Sequence, residues 1–217
     1  MEYQVKTAHG TLFCRREGSG PLLLLIHGVA CDSEFFREAS AILSKKFTVI
    51  SYDRRGYSRS IPAEGETDFS VWAHADDAAE IIGAELKRKH EEEICLEESE
   101  PQMNGAEEQS KVKDGQNTGV FVAGCSAGGA VTAALATKYP ELVRQVFLHE
   151  PLMRGSGELA AEQDAFWEKL HKSAEKHRII TCMMHFVNAM GGMNRDKEGQ
   201  SMEQQSRNLK NLELFLE

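Results

Sequence analysis

The residues best suited to chemistry form the run Gly124-Cys125-Ser126-Ala127-Gly128, a Gly-x-Ser-x-Gly pattern. An apolar stretch precedes this run and a stretch of small residues follows it, so the serine lies between a predicted strand and a predicted helix. A serine at so sharp a turn has a strained backbone, and flanking glycines avoid the collisions that larger side chains would cause. The pattern predicts an exposed Ser126 hydroxyl at a helix N-terminus, where N–H groups favour the negative charge of acyl transfer. A phosphate-binding or simply tight turn is the alternative interpretation.

Two other polar loops directly follow predicted strands. His27-Gly28-Val29 comes after Leu22–Ile26, which is apolar at every position and therefore typical of a parallel strand covered on both faces. The loop Asp53-Arg54-Arg55-Gly56-Tyr57-Ser58 follows a second apolar stretch, Phe47–Tyr52. All three motifs, the serine run included, thus lie at the carboxyl ends of strands.

Strands and helices alternate along the part of the chain that must position these loops. Tyr3–Thr7 and Thr11–Arg15, separated by His9-Gly10, predict an opening hairpin. The alternation that follows is the signature of a parallel sheet wrapped by helices, an α/β fold. The predicted strands are Leu22–Ile26, Phe47–Tyr52, Gly119–Ala123 and Val143–Leu148, and the predicted helices begin at Asp32 or Ser33, at Asp68 or Ser70, and at Ala127, the last being stopped by Pro140.

In this order, the three motifs resemble those of the serine hydrolase branch of the α/β-hydrolase superfamily, and the resemblance covers about residues 3 to 151. It implies a mostly parallel α/β fold, with residues 1–151 as the hydrolase core. It implies that Ser126 is the nucleophile and forms an acyl-enzyme with a small molecule that carries an ester or related acyl bond. The backbone N–H groups of Val29 and Ala127 are the implied oxyanion hole. No metal or organic cofactor is implied.

The resemblance gives the remaining polar residues of the loops supporting roles. His27 is expected to support the oxyanion loop and not to act as the base. Asp53, Arg54 and Arg55 are expected to brace the same loop by hydrogen bonds, with direct substrate contact as the alternative. Cys125 is interpreted as a small buried residue and not as a nucleophile.

The end of the chain departs from the family pattern. The family places an acid and then a histidine after two further strands, whereas no strand-like stretch follows Pro151 and no histidine follows His185. Glu150 matches a position where some members place the acid, and the candidate partners are His149, His171, His177 and His185. Each histidine is interpreted as a solvated or packed cap residue. Two hypotheses remain: a truncated form of a longer hydrolase, and an incomplete member that acts as a binding or sensor protein without turnover.

Residues 152–217 are predicted to form a helical cap segment. Apolar residues recur at helical spacing in three stretches: Leu159 to Ala174, Ile180 to Val187 and Leu209 to Leu216. Without later strands, one side of Val143–Leu148 is unpaired. Such an edge seeks a partner, which predicts a homodimer, aggregation or cover by the cap helices.

The formal net charge of the 217 residues is −9, but the segment His90–Asn117 alone holds nine acidic residues against two lysines. This composition predicts a solvated, partly disordered insertion at residues 90–117; an acidic docking segment is the alternative, without aromatic anchors to support it. The pI near 5.4 argues against a nucleic-acid partner held by phosphate neutralisation.

Compartment is predicted from apolar runs, the N-terminus and the cysteines. No apolar run approaches the roughly 20 residues of a membrane-spanning helix. The N-terminus carries no leader pattern, so we expect a cytoplasmic protein with no membrane partner. The five cysteines are scattered and are expected to be reduced thiols.

Overall fold

The computed structural model describes residues 1–99, 119–153, 158–174, 203, 206–208 and 210–211. The described residues form a seven-stranded sheet of β1 Glu2–Thr7, β2 Gly10–Glu17, β3 Leu22–Ile26, β4 Thr48–Tyr52, β5 Ile61–Pro62, β6 Val120–Cys125 and β7 Val143–His149. The helices are α1 Arg37–Leu43, α2 Val71–Ser99, α3 Ala127–Lys138 and α4 Glu158–Ala174, with 3-10 turns at Ser33–Phe36 and Pro140–Leu142. Residues 203, 206–208, 210 and 211 are also helical.

The strand order β1-β2-β4-β3-β6-β7, with β5 paired to β2, decides where the loops meet. β1 and β2 are antiparallel to each other and β2 is antiparallel to β4, while β4, β3, β6 and β7 run parallel. The register pairs Ile26 with Tyr52 on one side and with Gly124 on the other. The three motif-bearing strands therefore end side by side, and the predicted α/β fold with a mostly parallel sheet is confirmed.

Strands β3 and β4 are buried at every residue because both faces of the sheet are covered. On one face, Leu24 and Ile26 belong to a cluster that includes α2 and α3; on the other, Leu23 and Leu25 pack with α1 and neighbouring aromatic residues. Full burial of one leucine stabilises a fold by about 1.5–3 kcal/mol. The partners on the first face include Ala78, Ile82, Val131 and Leu135, and those on the second include Val49, Leu43, Phe36 and Phe47.

The strands predicted from residues 1–151 are all present, with bounds that differ by no more than two residues. Of the two residues predicted to begin the first helix, Asp32 and Ser33, it is Asp32 that caps: it accepts a hydrogen bond from the Glu34 N–H at the 3-10 turn Ser33–Phe36, and α1 follows at Arg37. The sequence reasoning missed β5, which pairs with Gly10 and Thr11. Two residues that include a proline carry no alternating pattern, so a strand this short leaves no periodic signal.

The predicted start of the acidic insertion at His90 is wrong, because α2 continues to Ser99. Glutamate, lysine and leucine are good helix formers, and a low hydrophobicity does not end a helix that has already begun. An exposed pair between Arg16 and Glu92, with 2.9 Å between Nη2 and Oε2, ties this extension to β2. The rest of the insertion and the predicted helix Ile180–Val187 lie outside the described residues.

The predicted helix from Leu159 to Ala174 is confirmed as α4. Strand β7 lies at the end of the sheet and, among the described residues, pairs only with β6. It exposes Phe147 and Leu148 by 50 % and 42 %. This exposure agrees with the expected unpaired edge, and the homodimer stays a prediction. In the described ranges, no helix is long and apolar enough to cross a membrane.

Candidate active site

Ser126 lies between β6 and α3 with φ 52° and ψ −124°, a conformation that non-glycine residues rarely adopt. Such a backbone costs about 1–3 kcal/mol and persists only where its surroundings hold it. The Ser126 N–H donates to the His149 carbonyl at 3.0 Å, and the Ser126 carbonyl accepts from the Leu152 N–H at 2.8 Å. The residues at the end of β7 thus hold the strained serine in place.

The two glycines of the pattern are required by close contacts. A Cβ atom on Gly124 would lie 2.2 Å from the Gly128 carbonyl oxygen, and one on Gly128 would lie 2.1 Å from the Ile26 oxygen. A Cβ atom on Gly28 would lie 3.1 Å from Ser126 Cβ and 3.6 Å from its Oγ. The loop after β3 therefore passes directly beside the serine side chain, as the predicted strand ends require.

The predicted oxyanion donors Val29 and Ala127 flank this contact, one directly after Gly28 and the other directly after Ser126. Both residues are buried. Among the described residues, neither backbone N–H has a hydrogen-bond acceptor. For Ala127 this follows from its place in the first turn of α3, where N–H groups have no partner within the helix. No described residue occupies either N–H group, and their role as oxyanion donors stays a prediction.

His27 is fully buried with both ring nitrogens occupied. Its Nε2 accepts from the Arg54 N–H at 2.9 Å, and its Nδ1 lies 2.8 Å from the Gly28 carbonyl, to which it donates. Burial, together with the positive charge of Arg54, lowers the pKa of His27 to about 3. The ring is neutral and fixed near neutral pH, which agrees with a supporting role and not with that of a base.

Arg54 and Asp53 brace the oxyanion loop as expected, but Arg55 does not. Arg54 Nη2 donates to the Gly28 carbonyl at 2.9 Å, and Asp53 Oδ1 accepts from the Ser33 N–H at 3.0 Å. Arg55 instead forms a buried, two-pronged pair with Asp77 on α2, with distances of 2.9 and 2.7 Å. A planar guanidinium matches a carboxylate in this fork, so Arg55 fixes the loop after β4 to α2.

Among the described residues, none of the candidates for the missing acid and base hydrogen-bonds to the Ser126 side chain. Glu150 follows β7 with φ 46° and is exposed, as is His149. None of the histidine rings that the structure describes hydrogen-bonds to Ser126. His177 and His185 lie outside the described residues, as does the side chain of His171. The predicted burial of Cys125 is only partial, because β6 turns alternate side chains toward a less covered face.

Two residues distant in the chain reach the loops, and sequence reasoning missed both. Asn211 contacts Cys31 and Ser58, while Arg207 Nε donates to Asp32 Oδ2 at 3.0 Å. No local motif marks either residue, since the partners are more than 150 positions away. Within the described ranges, no group of three histidine, cysteine or acidic side chains could hold a metal ion.

Glu34, in the turn after the oxyanion loop, gives a prediction about acid stability. Burial opposes ionisation, but hydrogen bonds from Arg15 and Arg37 outweigh it and lower the pKa of Glu34 to about 2. A depressed pKa stabilises the fold above the unfolded value near 4.5, and this stabilisation is lost as pH falls toward 2. After allowance for solvent screening, we expect Glu34→Gln to cost about 1 kcal/mol.

The measurement is urea denaturation of both proteins between about pH 7 and pH 3. The difference between wild type and Glu34→Gln is expected to be constant near neutral pH and to shrink below about pH 4.5. A difference in unfolding free energy that stays constant across this range would show that the stabilisation by Glu34 does not come from the charge of its carboxylate.

Comparisons with known proteins agree with this fold. The family model described as alpha/beta hydrolase fold matches residues 21–90. Uncharacterized hydrolase YraK of Bacillus subtilis is 31% identical over 170 residues, which are 76% of this chain and 51% of that protein. The 2-(acetamidomethylene)succinate hydrolase of Mesorhizobium japonicum is 32% identical over 136 residues, covering 63% of this chain and 37% of that protein. An alpha/beta hydrolase structure from Sphaerobacter thermophilus superimposes with a TM-score of 0.63 at 20% identity, covering 96% and 69% of the two chains.

The order of the strands and the strained turn at Ser126 are those of an α/β-hydrolase fold. The chain spans about half the length, or less, of the curated relatives that it matches. Family model, relatives and structural neighbours agree, and the chain belongs to the α/β-hydrolase superfamily.

Proposed function

We propose that this chain is a serine hydrolase that cleaves an ester or related acyl bond through an acyl-enzyme on Ser126. The strained backbone of Ser126 supports this proposal, because such strain is retained where a function needs it. The Ser126 hydroxyl has no hydrogen bond to any residue that the structure describes, and the loop at Gly28 lies beside it. The N–H groups of Val29 and Ala127, which have no acceptor among the described residues, flank the same position.

In the proposed reaction, Ser126 Oγ attacks the carbonyl carbon of the substrate and its proton passes to a base. The carbonyl oxygen gains negative charge and accepts hydrogen bonds from Val29 and Ala127, which stabilise the transition state more than the substrate. The leaving group takes the proton, and the acyl group stays on Oγ. Water then attacks the acyl carbon, which releases the acid and returns the proton to Ser126.

The identity of the base decides the rate. His27 is neutral and bonded through both nitrogens, so it cannot take the proton while it holds the loop. Without a paired base, a serine hydroxyl is a weak nucleophile near neutral pH. In an unrelated serine protease that lacks its triad, the oxyanion hole and substrate binding alone retain about 10³–10⁴-fold catalysis over water.

We therefore expect the 217-residue protein to hydrolyse activated aryl esters slowly or not at all. A fluorophosphonate probe should label it slowly and on Ser126, as intact-mass spectrometry and peptide mapping over several hours would show. Ser126→Ala should remove the labelling completely, whereas Ser19→Ala, at an exposed position in the loop after β2, should leave it unchanged.

The outcomes separate the proposal from the binding or sensor alternative. Wild-type protein that stays unlabelled while folded would favour binding without turnover. Turnover at ordinary enzyme rates, about 1–10³ per second, would contradict the expectation that this chain lacks a paired base, and would point to Glu150 and the histidines of the cap segment.

A further inference from the structure

Asn211 is a buried amide far from any motif, with 1 % of its surface exposed. Its Oδ1 accepts from the Ser58 N–H at 2.9 Å, and its Nδ2 donates to the Cys31 carbonyl at 3.0 Å. One side chain thus joins the loop after β3 to the loop after β4. Both loops lie at the carboxyl edge of the sheet, where Ser126 also lies.

The surroundings fix the orientation of the amide. The Ser58 N–H can only donate and the Cys31 carbonyl can only accept, so Oδ1 must face the first and Nδ2 the second. The second hydrogen of Nδ2 reaches Ser58 Oγ at 3.0 Å, and that hydroxyl donates to Asp32 Oδ2 at 2.9 Å. The site therefore uses one acceptor and two donors of the Asn211 amide, a combination that no apolar or charged side chain supplies.

At one end of the oxyanion loop, this contact holds the Cys31 carbonyl, while Asp53 holds the Ser33 N–H. At the other end, the Gly28 carbonyl is held by Arg54 Nη2 and by the ring of His27. Val29 and Ala30 lie between the two anchors. The φ of Ala30 is 53°, which is unfavourable for a non-glycine residue. A loop with such a backbone keeps its shape only while both ends are fixed.

We infer that Asn211 is a positioning residue. By holding the Cys31 carbonyl against Ser58, it sets the direction of the Val29 N–H. Its effect on catalysis rests on the proposed hydrolysis. The hydrogen bonds of Asn211 to described residues go to Cys31 and Ser58, and none goes to Ser126. It acts through the loop, and this contact adds Asn211 to the site.

The first test measures the loop directly by backbone hydrogen exchange, followed by mass spectrometry on the full chain. In Asn211→Ala, peptides covering residues 28–34 and 57–60 should exchange at least about tenfold faster, because two buried backbone groups lose their hydrogen bonds to Asn211. Peptides from β3 should be unchanged. Lys210→Ala, at the exposed neighbouring position, should match wild type throughout.

The second test measures phosphonylation of Ser126 at increasing probe concentration. Asn211→Ala should lower the maximal rate at saturating probe by about tenfold or more and leave the half-saturating concentration nearly unchanged, because the oxyanion forms only in the transition state. A loss of folded protein would instead lower the amount labelled and not its rate.

The isosteric variant Asn211→Asp adds a pH profile that a general loss of packing cannot produce. An ionised carboxylate faces the Cys31 carbonyl, whereas a protonated one donates to it and still accepts from Ser58. Burial beside Asp32 raises the pKa of such a carboxyl. The rate of this variant divided by that of wild type should therefore rise as pH falls from about 8 to about 5.

Unchanged loop exchange in Asn211→Ala would overturn the inference, and so would faster exchange with an unchanged maximal rate. The exchange test does not use Ser126. If wild-type protein is never labelled, that result counts against the proposed hydrolysis, while the exchange data still support or refute the role of Asn211 in holding the loop.

Discussion

Replacing Gly128 by alanine is expected to lower the free energy of unfolding by at least about 3 kcal/mol. The new Cβ atom would lie 2.1 Å from the Ile26 carbonyl oxygen and 2.5 Å from that of His27. Both neighbours are backbone atoms of β3 and its loop, so neither can move aside as a flexible side chain would. In an open helix, the same substitution stabilises by about 1 kcal/mol, so helix propensity opposes the expected loss.

The matched control is Gly83→Ala in α2, an exposed helical position where a Cβ atom would meet nothing within 4 Å. It should raise the unfolding free energy by about 0.5–1 kcal/mol. Urea denaturation of the two variants and wild type gives both values. Equal effects at the two positions would contradict the close approach of α3 to β3.

Asp77→Ala is expected to cost about 3–5 kcal/mol, because it leaves the buried Arg55 guanidinium without its carboxylate. The side chains of Arg55 and Asp77 are exposed by only 1% and 0%. The carbonyls of Asp68 and Ala73 and the carboxylate of Glu66 also contact Arg55, but none replaces the two-pronged pair.

The neighbouring Asp76 provides the control, since its ion pair with Lys138, at 2.6 Å, lies at the surface. Asp76→Ala should cost no more than about 1 kcal/mol. The double variant Arg55→Met/Asp77→Leu should recover most of the loss, because a buried pair exchanged for apolar groups of similar volume is often neutral. A double variant as unstable as Asp77→Ala would show that the loss does not come from the uncompensated charge.

Local patterns predicted those parts of the molecule that depend on neighbours in sequence. The apolar run Leu22–Ile26 is buried on both faces as its composition requires, and the glycines around Ser126 are fixed by contacts within a few residues of the serine or with the adjacent strand. The alternation of strands and helices then left few arrangements of the sheet.

The remaining features depend on side-chain direction or on distant partners. Arg55 and Arg54 are adjacent, yet one contacts α2 and the other the oxyanion loop, and composition does not distinguish them. Asn211 meets Cys31 across 180 positions. The hydrophobic pattern does not mark the end of α2, because backbone hydrogen bonds within a helix need no apolar face.

The length of α2 also has a practical consequence. The 29 residues of α2 span about 43 Å, whereas the five residues of β4 span about 17 Å. The helix is therefore longer than the strand that it follows. As a crossover between parallel strands, α2 ends at the opposite edge from Ser126. Residues 91–95 are all exposed there, and they include the thiol of Cys95, whereas Cys14 and Cys31 are buried. A fluorophore or surface linker attached at Cys95 would therefore lie at the edge of the sheet away from Ser126 and its loops.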